Sequence, residues 1–269
     1  MKIFPQISLR GIGLAVLRIL LLTYVAFGII LYVQQDSYIF FPPMVPMEDC
    51  TLLSNSRILT IDGTRAYYAV SGSSTKIAVV YHGNGGRACD LAELVQWLVG
   101  EEYNVLAVEY AGYAGDVTQK PTVKLLLRDT EHVYAWVKEQ RFSQTLIIGQ
   151  SIGTGFASYH ASLASPEKLV LLSPFDTLSQ ATGEHYPIYP TSILLKTDLN
   201  NVKNASFAKE VLVIHGAKDV IVPITRGKSL FEKLSQKQKV FITLEGYEHN
   251  DVLDAPQSWS AMSDFLDER

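Results

Sequence analysis

Short runs of hydrophobic residues alternate with longer amphipathic stretches along most of the chain. Most of the runs are continuous, which is typical of strands buried on both faces of a sheet. The stretches between the later runs have the spacing of helices that bury one face. The predicted strands are Ile58–Ile61, Ala66–Val70, Ile77–Tyr81, Val105–Val108, Leu146–Ile148, Leu169–Leu172, Val211–Ile214 and Val240–Leu244, and the predicted helices are Ala88–Leu98, Thr122–Lys138, Gly153–Leu163, Arg226–Leu234 and Ser258–Leu266.

This alternation predicts one α/β domain over residues 57–269. Its central sheet is expected to be mostly parallel, with helices on both faces and a short antiparallel pair of strands at the N-terminal end. A long irregular insertion, residues 173–209, interrupts the alternation and contains the sequence HYPIYP at His185–Pro190. Aromatic residues and prolines in such an insertion predict a small cap or a packed surface loop.

The N-terminal hydrophobic run differs from the later ones in length. It extends from Gly11 to Val33, and Arg18 is its only charged residue. As a helix it measures about 34 Å, against a bilayer hydrocarbon core of about 30 Å. We therefore predict a transmembrane signal-anchor at 11–33 and a juxtamembrane linker at 34–56. A cleaved signal peptide is the alternative, because Ala26-Phe27-Gly28 is a small-x-small triplet, although such peptides usually have an apolar region of only about 7 to 15 residues.

The positive charges around this run predict its orientation. Lys2 and Arg10 precede it, whereas residues 34–56 contain no Lys or Arg. The positive-inside rule then predicts a single-pass membrane protein with residues 1–10 in the cytoplasm and the globular domain on the extracytoplasmic side. Cys50 and Cys89 would lie where disulfides can form, but their spacing matches no disulfide motif, and we expect two free, structural thiols.

Composition excludes several classes of partner. The chain carries a net charge of -4 and has no basic block, so neither nucleic acid nor a polyanionic surface is an expected partner. Apolar residues make up 48% of the 269 residues, enough for a large core. The glycine-rich stretch after the third predicted strand lacks both the G-x-G-x-x-G and the GK[ST] signatures, which disfavours a phosphate-binding loop.

A serine lies between two glycines at the end of the fifth predicted strand, in the sequence TLIIGQSIGTGFASYH. Gly149 and Gly153 remove side chains where a strand and a helix pack closely around a tight turn, and this geometry exposes the Ser151 hydroxyl. A serine hydroxyl is a poor nucleophile until a neighbouring base takes its proton. Ser151 is therefore the candidate nucleophile, and it requires a histidine.

Two later loops supply a candidate acid and a candidate base. Asp219 follows the Val211–Ile214 strand, and His249 follows the last strand. The carboxyl ends of parallel strands share one edge of a sheet, so Ser151, Asp219 and His249 are expected to meet there as a catalytic triad. Asp176, in the sequence SPFD, is the alternative acid. The other histidines are expected to be packed or solvated.

Acyl transfer also requires donors for a developing oxyanion. The sequence YHGNGG, Tyr81–Gly86, follows the third strand and forms a turn whose backbone can approach the nucleophile closely. We predict that the backbone N–H groups of Asn84 and Ile152 form the oxyanion hole, with Gly85 as a substitute. His82 is expected to hold this loop in place.

Several motifs in this order resemble the α/β-hydrolase superfamily, and most closely its small, single-pass membrane-anchored serine hydrolases of the esterase and depalmitoylating thioesterase type. The motifs are QDSYIFFPP, YHGNGG, EYAGYAG, GQSIG, SPF, HGAKDVIVP and GYEHN. The loop AGYAGDVTQKPT, residues 111–122, departs from these relatives, which usually carry Arg and a Gly-x-Ser-x-Gly run there. The resemblance implies an α/β-hydrolase fold and two-step acyl transfer on esters or thioesters, with no metal or organic cofactor.

Substrate and reaction partner are less constrained by these motifs. The sequence HYPIYPTSILL, His185–Leu195, is expected to supply apolar surface for a lipophilic acyl chain. An acyltransferase or peptidase on the same triad, or a non-catalytic membrane-anchored binding domain, remains an alternative.

Overall fold

The computed structural model describes residues 9–267, so the part of the predicted cytoplasmic segment that contains Lys2 lies outside the described residues. An eight-stranded sheet forms the centre of the domain, in the order β1-β2-β4-β3-β5-β6-β7-β8. Its strands are β1 (Arg57–Ile61), β2 (Thr64–Ala69), β3 (Lys76–Tyr81), β4 (Asn104–Glu109), β5 (Gln144–Gln150), β6 (Lys168–Leu172), β7 (Glu210–Gly216) and β8 (Gln238–Leu244).

The strand directions confirm the predicted fold class. β1 pairs antiparallel with β2, and β2 pairs antiparallel with β4. All five remaining pairs, from β4 across to β8, are parallel. The carboxyl ends of β3, β5, β6, β7 and β8 therefore share one edge of the sheet, where loops from distant parts of the sequence come together.

Helices cover both faces of the sheet and divide the core into two layers. One layer packs α3 (Val123–Gln140), α4 (Gly153–Ala164) and α8 (Ile224–Lys233) against the sheet, and its buried residues include Leu126, Phe156 and Leu230. The other packs α2 (Ala92–Gly100) and α9 (Pro256–Asp267), with Leu94 and Met262 buried. Central strands are apolar on both sides because both layers bury them.

The edge strands differ from the prediction that the runs are buried on both faces. β8 alternates between exposed and partly buried positions, and Val240 is 39% exposed. β1 is also largely exposed. Each edge strand has a neighbour on one side only and is incompletely covered by helices, a condition that a continuous apolar run in the sequence does not reveal.

The N-terminal helix α1 (Leu9–Ile39) is longer than the predicted span. Within residues 9–267 it is the one helix long and apolar enough to cross a membrane, and none of its most apolar segment is buried in the protein. It continues past Val33 because no helix-breaking residue occurs before Pro42, which disfavours helical backbone at Phe41. Two 3-10 turns, Met47–Asp49 and Thr51–Leu53, follow in the linker.

We call residues 173–209 the cap segment. It contains three helices, α5 (Leu178–His185), α6 (Thr191–Leu194) and α7 (Asn201–Ala205). An antiparallel bridge between Thr177 and Asn200 joins its two ends. The cap segment packs against both α4 and α1, so it connects the rest of the α/β domain to the N-terminal helix.

The expectation of two free thiols is wrong. Cys50 and Cys89 form a disulfide, with their Cα atoms 5.9 Å apart. Their separation of 39 residues matches no short motif, and only the tertiary structure brings the linker beside the 3-10 turn Ala88–Leu91 that precedes α2. Both cysteines are buried. Disulfides of this kind persist in oxidising compartments.

Candidate active site

The turn that carries Ser151 has the geometry expected of a nucleophile elbow. Ser151 lies between β5 and α4 with a φ of 52°, a left-handed conformation that is strained for a residue with a side chain. A Cβ atom on Gly149 would lie 2.5 Å from the carbonyl oxygen of Gly153, and one on Gly153 would collide with the carbonyl oxygen of Tyr81. Glycine at both positions is thus a steric requirement of the turn.

The structure brings the three candidate triad residues into one hydrogen-bonded chain. His249 Nε2 lies 2.7 Å from Ser151 Oγ, and His249 Nδ1 lies 2.6 Å from Asp219 Oδ2. Asp219 and His249 are buried, whereas Ser151 is half-buried and lines an open cleft. This arrangement orients the imidazole so that its Nε2 can take the serine proton.

Asp219 is held by more than His249. Its Oδ1 accepts hydrogen bonds from the backbone N–H groups of Ile221 and Val222, and His215 Nε2 lies 3.1 Å from its Oδ2. Burial alone would raise the pKa of Asp219, but the hydrogen bonds from His215 and His249, together with the Val222 amide, hold that pKa well below its usual range. The carboxylate therefore stays charged beside the histidine.

Asp176, the alternative acid, points elsewhere. Its Oδ2 accepts a hydrogen bond from Ser229 Oγ at 2.8 Å and lies 3.5 Å from both Arg226 and Lys233. Its Oδ1 accepts from the backbone N–H of Thr177. Both carboxylate oxygens are thus occupied by α8 and by the start of the cap segment.

The loop after β3 faces the nucleophile. An added Cβ on Gly83 would lie 3.5 Å from Ser151 Cβ, which shows how closely the loop backbone approaches the serine. Within residues 9–267, the backbone N–H groups of Asn84 and Ile152 donate to no protein acceptor. An oxyanion hole requires amide donors that are free of protein acceptors, so both residues remain candidates for it.

The side chain of Asn84 has a role that the sequence did not reveal. Its Oδ1 accepts from the backbone N–H of Phe41 and from the Tyr113 hydroxyl, both at 3.0 Å, and its Nδ2 donates to the carbonyl oxygen of Ile39. The loop is therefore fastened to the C-terminal end of α1. No local motif predicts this contact, because Ile39 and Asn84 are 45 residues apart.

His82 lies beneath the loop, where the sequence placed it as a supporting residue. Its Nδ1 is 2.8 Å from the Gly83 carbonyl oxygen, and its Nε2 is 3.1 Å from Glu109 Oε1. Tyr110 donates to the His82 carbonyl at 2.7 Å and lies against its ring. These buried contacts fix the backbone from which the loop emerges.

A cleft of about 600 Å³ opens above Ser151. Its lining includes Phe41 from the linker, Asn84, Ile221 and His249. The stretch His185–Leu195, expected to line an acyl pocket here, packs against α1 instead and lines separate grooves. Its use by an acyl chain stays a prediction, and adjacency in the sequence did not reveal that the N-terminal helix passes beside the cap segment.

Sequence reasoning also missed the part played by His215. It was expected to be packed or solvated, and it is fully buried, but it also contacts the candidate acid Asp219 and the carbonyl oxygen of Val222. The available signal was its spacing, since His215 and Asp219 flank one tight turn four residues apart.

Three curated relatives align with large parts of the chain. The uncharacterised protein Rv2307c of Mycobacterium tuberculosis is 32% identical over 260 residues, covering 91% of this chain and 92% of that protein. Lysophosphatidylserine lipase ABHD12 of Danio rerio is 27% identical over 74% of this chain and 60% of its own length. Human alpha/beta hydrolase domain-containing protein 17B is 29% identical over 62% of this chain and 59% of its own length. No protein-family model matches the chain.

Solved structures share the fold. An esterase of Pyrococcus furiosus, Pf2001, superposes with a TM-score of 0.65 over 85% of this chain and 97% of its own, at 19% identity. At that identity the likeness concerns the fold alone.

Proposed function

The chain belongs to the α/β-hydrolase superfamily and is an ester hydrolase, and from this premise we propose that it cleaves lipophilic carboxylic esters or thioesters through an acyl-enzyme on Ser151. The observation that carries the proposal is the chain of hydrogen bonds of 2.6 and 2.7 Å from Asp219 through His249 to Ser151. The reaction needs neither a metal nor an organic cofactor.

Acylation follows from this geometry. As Ser151 Oγ attacks the acyl carbonyl, its proton passes to His249 Nε2, and Asp219 stabilises the resulting imidazolium. The backbone N–H groups of Asn84 and Ile152 donate to the oxyanion. When the tetrahedral intermediate collapses, the bond to the leaving oxygen or sulfur breaks, and His249 protonates that atom.

Deacylation reverses the roles with water as the nucleophile. His249 takes a proton from water, the hydroxyl oxygen attacks the acyl carbon, and Ser151 leaves with the proton returned by His249. The open cleft above Ser151 gives water access to the acyl-enzyme. The products are a carboxylic acid and an alcohol or thiol.

The proposed substrates are lipophilic because of where the site lies. Phe41, only two residues after the end of the long apolar helix α1, lines the catalytic cleft. One relative is a lysophosphatidylserine lipase, which supports a lipid ester. We propose that residues 11–33 anchor the enzyme in a membrane and that the site faces the adjacent lipid surface.

The disulfide supports the proposed orientation. Cys50 lies in the linker and Cys89 in the catalytic domain, so both belong to the part of the chain that follows the span. A disulfide-permissive compartment on that side agrees with the Lys and Arg bias at the N-terminus. The proposed arrangement is an N-terminus in the cytoplasm and an extracytoplasmic catalytic domain.

Labelling with a fluorophosphonate tests the proposed nucleophile without knowledge of the substrate. An activated serine reacts with this probe, so the wild-type protein should be labelled, whereas Ser151→Ala and His249→Ala should not. Ser162→Ala, which removes a serine from the far end of α4, is the matched control and should label like the wild type. Equal labelling of wild type and Ser151→Ala would reject Ser151 as the nucleophile.

A further inference from the structure

The cap segment contacts α1 deep within the predicted membrane span. The rings of Tyr24 and Tyr189 stack with their centroids 4.6 Å apart and their planes 6° from parallel. The Tyr24 hydroxyl donates to the Ile188 carbonyl at 2.8 Å, and the Tyr189 hydroxyl donates to the Tyr24 carbonyl at 3.1 Å. Both hydroxyls are thus satisfied by protein, as polar groups in hydrocarbon must be.

The length of α1 fixes how deep this contact lies. If the cap segment stood wholly in water, the span would have to end before Tyr24. The stretch from Gly11 to Thr23, whose only charged residue is Arg18, would then measure about 20 Å as a helix. That length is well short of a hydrocarbon core of about 30 Å. Once α1 crosses the bilayer, part of the cap segment has to enter the bilayer with it.

The composition of the cap segment suits such a position. Between His185 and Lys196 the sequence YPIYPTSILL contains no charged residue. Ile188 is 70% exposed and Ile193 is 76% exposed, although both are large and apolar. The two side chains project from the segment that lies along α1, and no contact within residues 9–267 buries them.

Charged and polar groups mark where this apolar contact ends. Lys196 lies 3.7 Å from Asp36, and its Nζ also donates to the Val33 carbonyl. Gln35 is buried between the two elements and bonds the backbone of both Tyr32 and Leu194. This polar layer lies level with the C-terminal end of the predicted span, so apolar contacts lie on its membrane side and the catalytic domain on the other.

We propose that residues 186–195 of the cap segment form a second membrane element, inserted beside α1 into the leaflet nearest the catalytic domain. The inference rests on the proposed anchoring by residues 11–33. Hydrocarbon chains of bilayer lipids cover Ile188 and Ile193 and occupy the groove of about 330 Å³ that Tyr24, Gly28 and Tyr189 help to line. The groove suits lipid because its walls are apolar and one of them is α1 itself.

This insertion defines the source of the substrate. Asp36 marks the polar boundary, and Phe41, five residues later, already lines the cleft that contains Ser151. Three residues of helix and two extended residues after them reach at most about 11 Å. The cleft therefore lies at headgroup level, and the substrate is a bilayer lipid ester that reaches Ser151 while its chains remain in the leaflet.

Depth-dependent fluorescence quenching tests the insertion on the full-length protein in phosphatidylcholine vesicles. Three single variants, Ile193→Trp, Leu22→Trp and Val70→Trp, are each compared with the wild type in vesicles whose lipids carry bromine on their acyl chains. Leu22 lies on the exposed face of α1, and Val70 follows β2 at the edge of the sheet opposite the cleft. All three positions are exposed, so each variant should fold.

We expect brominated lipid to remove most of the fluorescence that Ile193→Trp and Leu22→Trp add, and none of that added by Val70→Trp. Quenching of Leu22→Trp without quenching of Ile193→Trp would overturn the insertion and leave the anchor intact. Absence of quenching for Leu22→Trp would overturn the anchor and the insertion together. Neither result would affect the assignment of Ser151, which the labelling experiment tests separately.

Discussion

The two sides of the catalytic cleft are held in place by different parts of the chain. On the side of the proposed acid Asp219 and the proposed base His249, nearly all contacts come from the two loops that carry them. The Lys218 N–H donates to the Tyr247 carbonyl, and Asp219 accepts from amides two and three residues further on. A Cβ on Gly216 would lie 2.6 Å from the Tyr247 carbonyl oxygen, so the two loops pack as closely as backbone allows.

On the side of the proposed oxyanion hole, the contacts come from the linker. Asn84 bonds the backbone of Ile39 and Phe41, and the disulfide joins Cys50 to Cys89 just beyond the glycine-rich loop. Tyr67, in β2, also donates to the Met47 carbonyl. The contacts of the proposed acid and base therefore come from loops that end neighbouring strands of the sheet, whereas the proposed oxyanion side depends on the linker that follows α1.

This difference predicts that substitutions on the two sides of the cleft should have distinguishable effects on activity and stability. Changes on the acid and base side should abolish chemistry and leave the fold intact. Changes on the oxyanion side should combine a loss of transition-state stabilisation with a loss of stability, because the same contacts perform both tasks.

The largest effect is expected from Asp219→Asn. An amide at this position can favour the wrong tautomer of His249, so kcat on a short soluble ester should fall by about 10⁴. Asp176→Asn is the matched control, since it changes a buried carboxylate that does not contact His249, and it should leave kcat within a few-fold. The reverse ranking, measured by steady-state kinetics, would transfer the role of acid to Asp176.

Removal of the disulfide should have the next largest effect. In the double variant Cys50→Ala and Cys89→Ala, the free energy of unfolding should fall by about 3 to 4 kcal/mol, because the bridge no longer restricts a loop of 39 residues in the unfolded chain. Urea unfolding in detergent measures the loss. An unchanged midpoint would mean that the linker is not held through this bridge.

A smaller effect is expected where Asn84 fastens the loop to the linker. Asn84→Ala keeps the backbone N–H but removes three hydrogen bonds. Misplacement of the amide should lower kcat by about 10- to 100-fold, with KM changing less.

Tyr113→Phe is the graded control for this change, because it removes only the hydroxyl that donates to Asn84. The loss of one such bond is worth about 1 kcal/mol, which corresponds to roughly a five-fold decrease in kcat. If Asn84→Ala retained wild-type kcat, the linker would have no part in positioning the oxyanion hole.

A further prediction concerns pH and a buried histidine behind the glycine-rich loop. His160, on α4 behind the nucleophile, lies 2.8 Å from the hydroxyl of Tyr81, the last residue before the glycine-rich loop. Burial lowers the pKa of His160 to about 3, from an ordinary value of 6.5. As the pH falls, His160 is protonated in the unfolded chain at a higher pH than in the folded protein. The stability contributed by neutral His160 is therefore complete above pH 6.5 and is lost as the pH falls toward 3.

Between pH 6 and pH 4, His160 should therefore contribute a loss of about 1.4 kcal/mol per pH unit in the free energy of unfolding. His160→Gln keeps a polar partner for Tyr81 but does not titrate, so its slope should be smaller by that amount. Urea unfolding at several pH values compares the two slopes. Identical slopes would show that His160 does not remain neutral in the folded protein.

The sequence by itself determined the strands, most of the helices and the choice of Ser151, Asp219 and His249 as the candidate triad. These features depend on local patterns. A continuous apolar run favours a strand of the central sheet, and the glycines around Ser151 are needed because any side chain there would collide with neighbouring backbone. The order of the strand-ending loops then restricts which acid and which histidine can reach the serine.

The tertiary structure alone decided how the N-terminal segment joins the site. The Cys50–Cys89 bridge, the bonds from Asn84 to Ile39 and Phe41, and the stack of Tyr24 on Tyr189 connect residues separated by 39 to 165 positions. Contacts over such separations leave no periodicity and no fixed spacing in the sequence. They arise because α1 passes beside the cap segment before it reaches the edge of the sheet, and that path is set by packing of the whole domain.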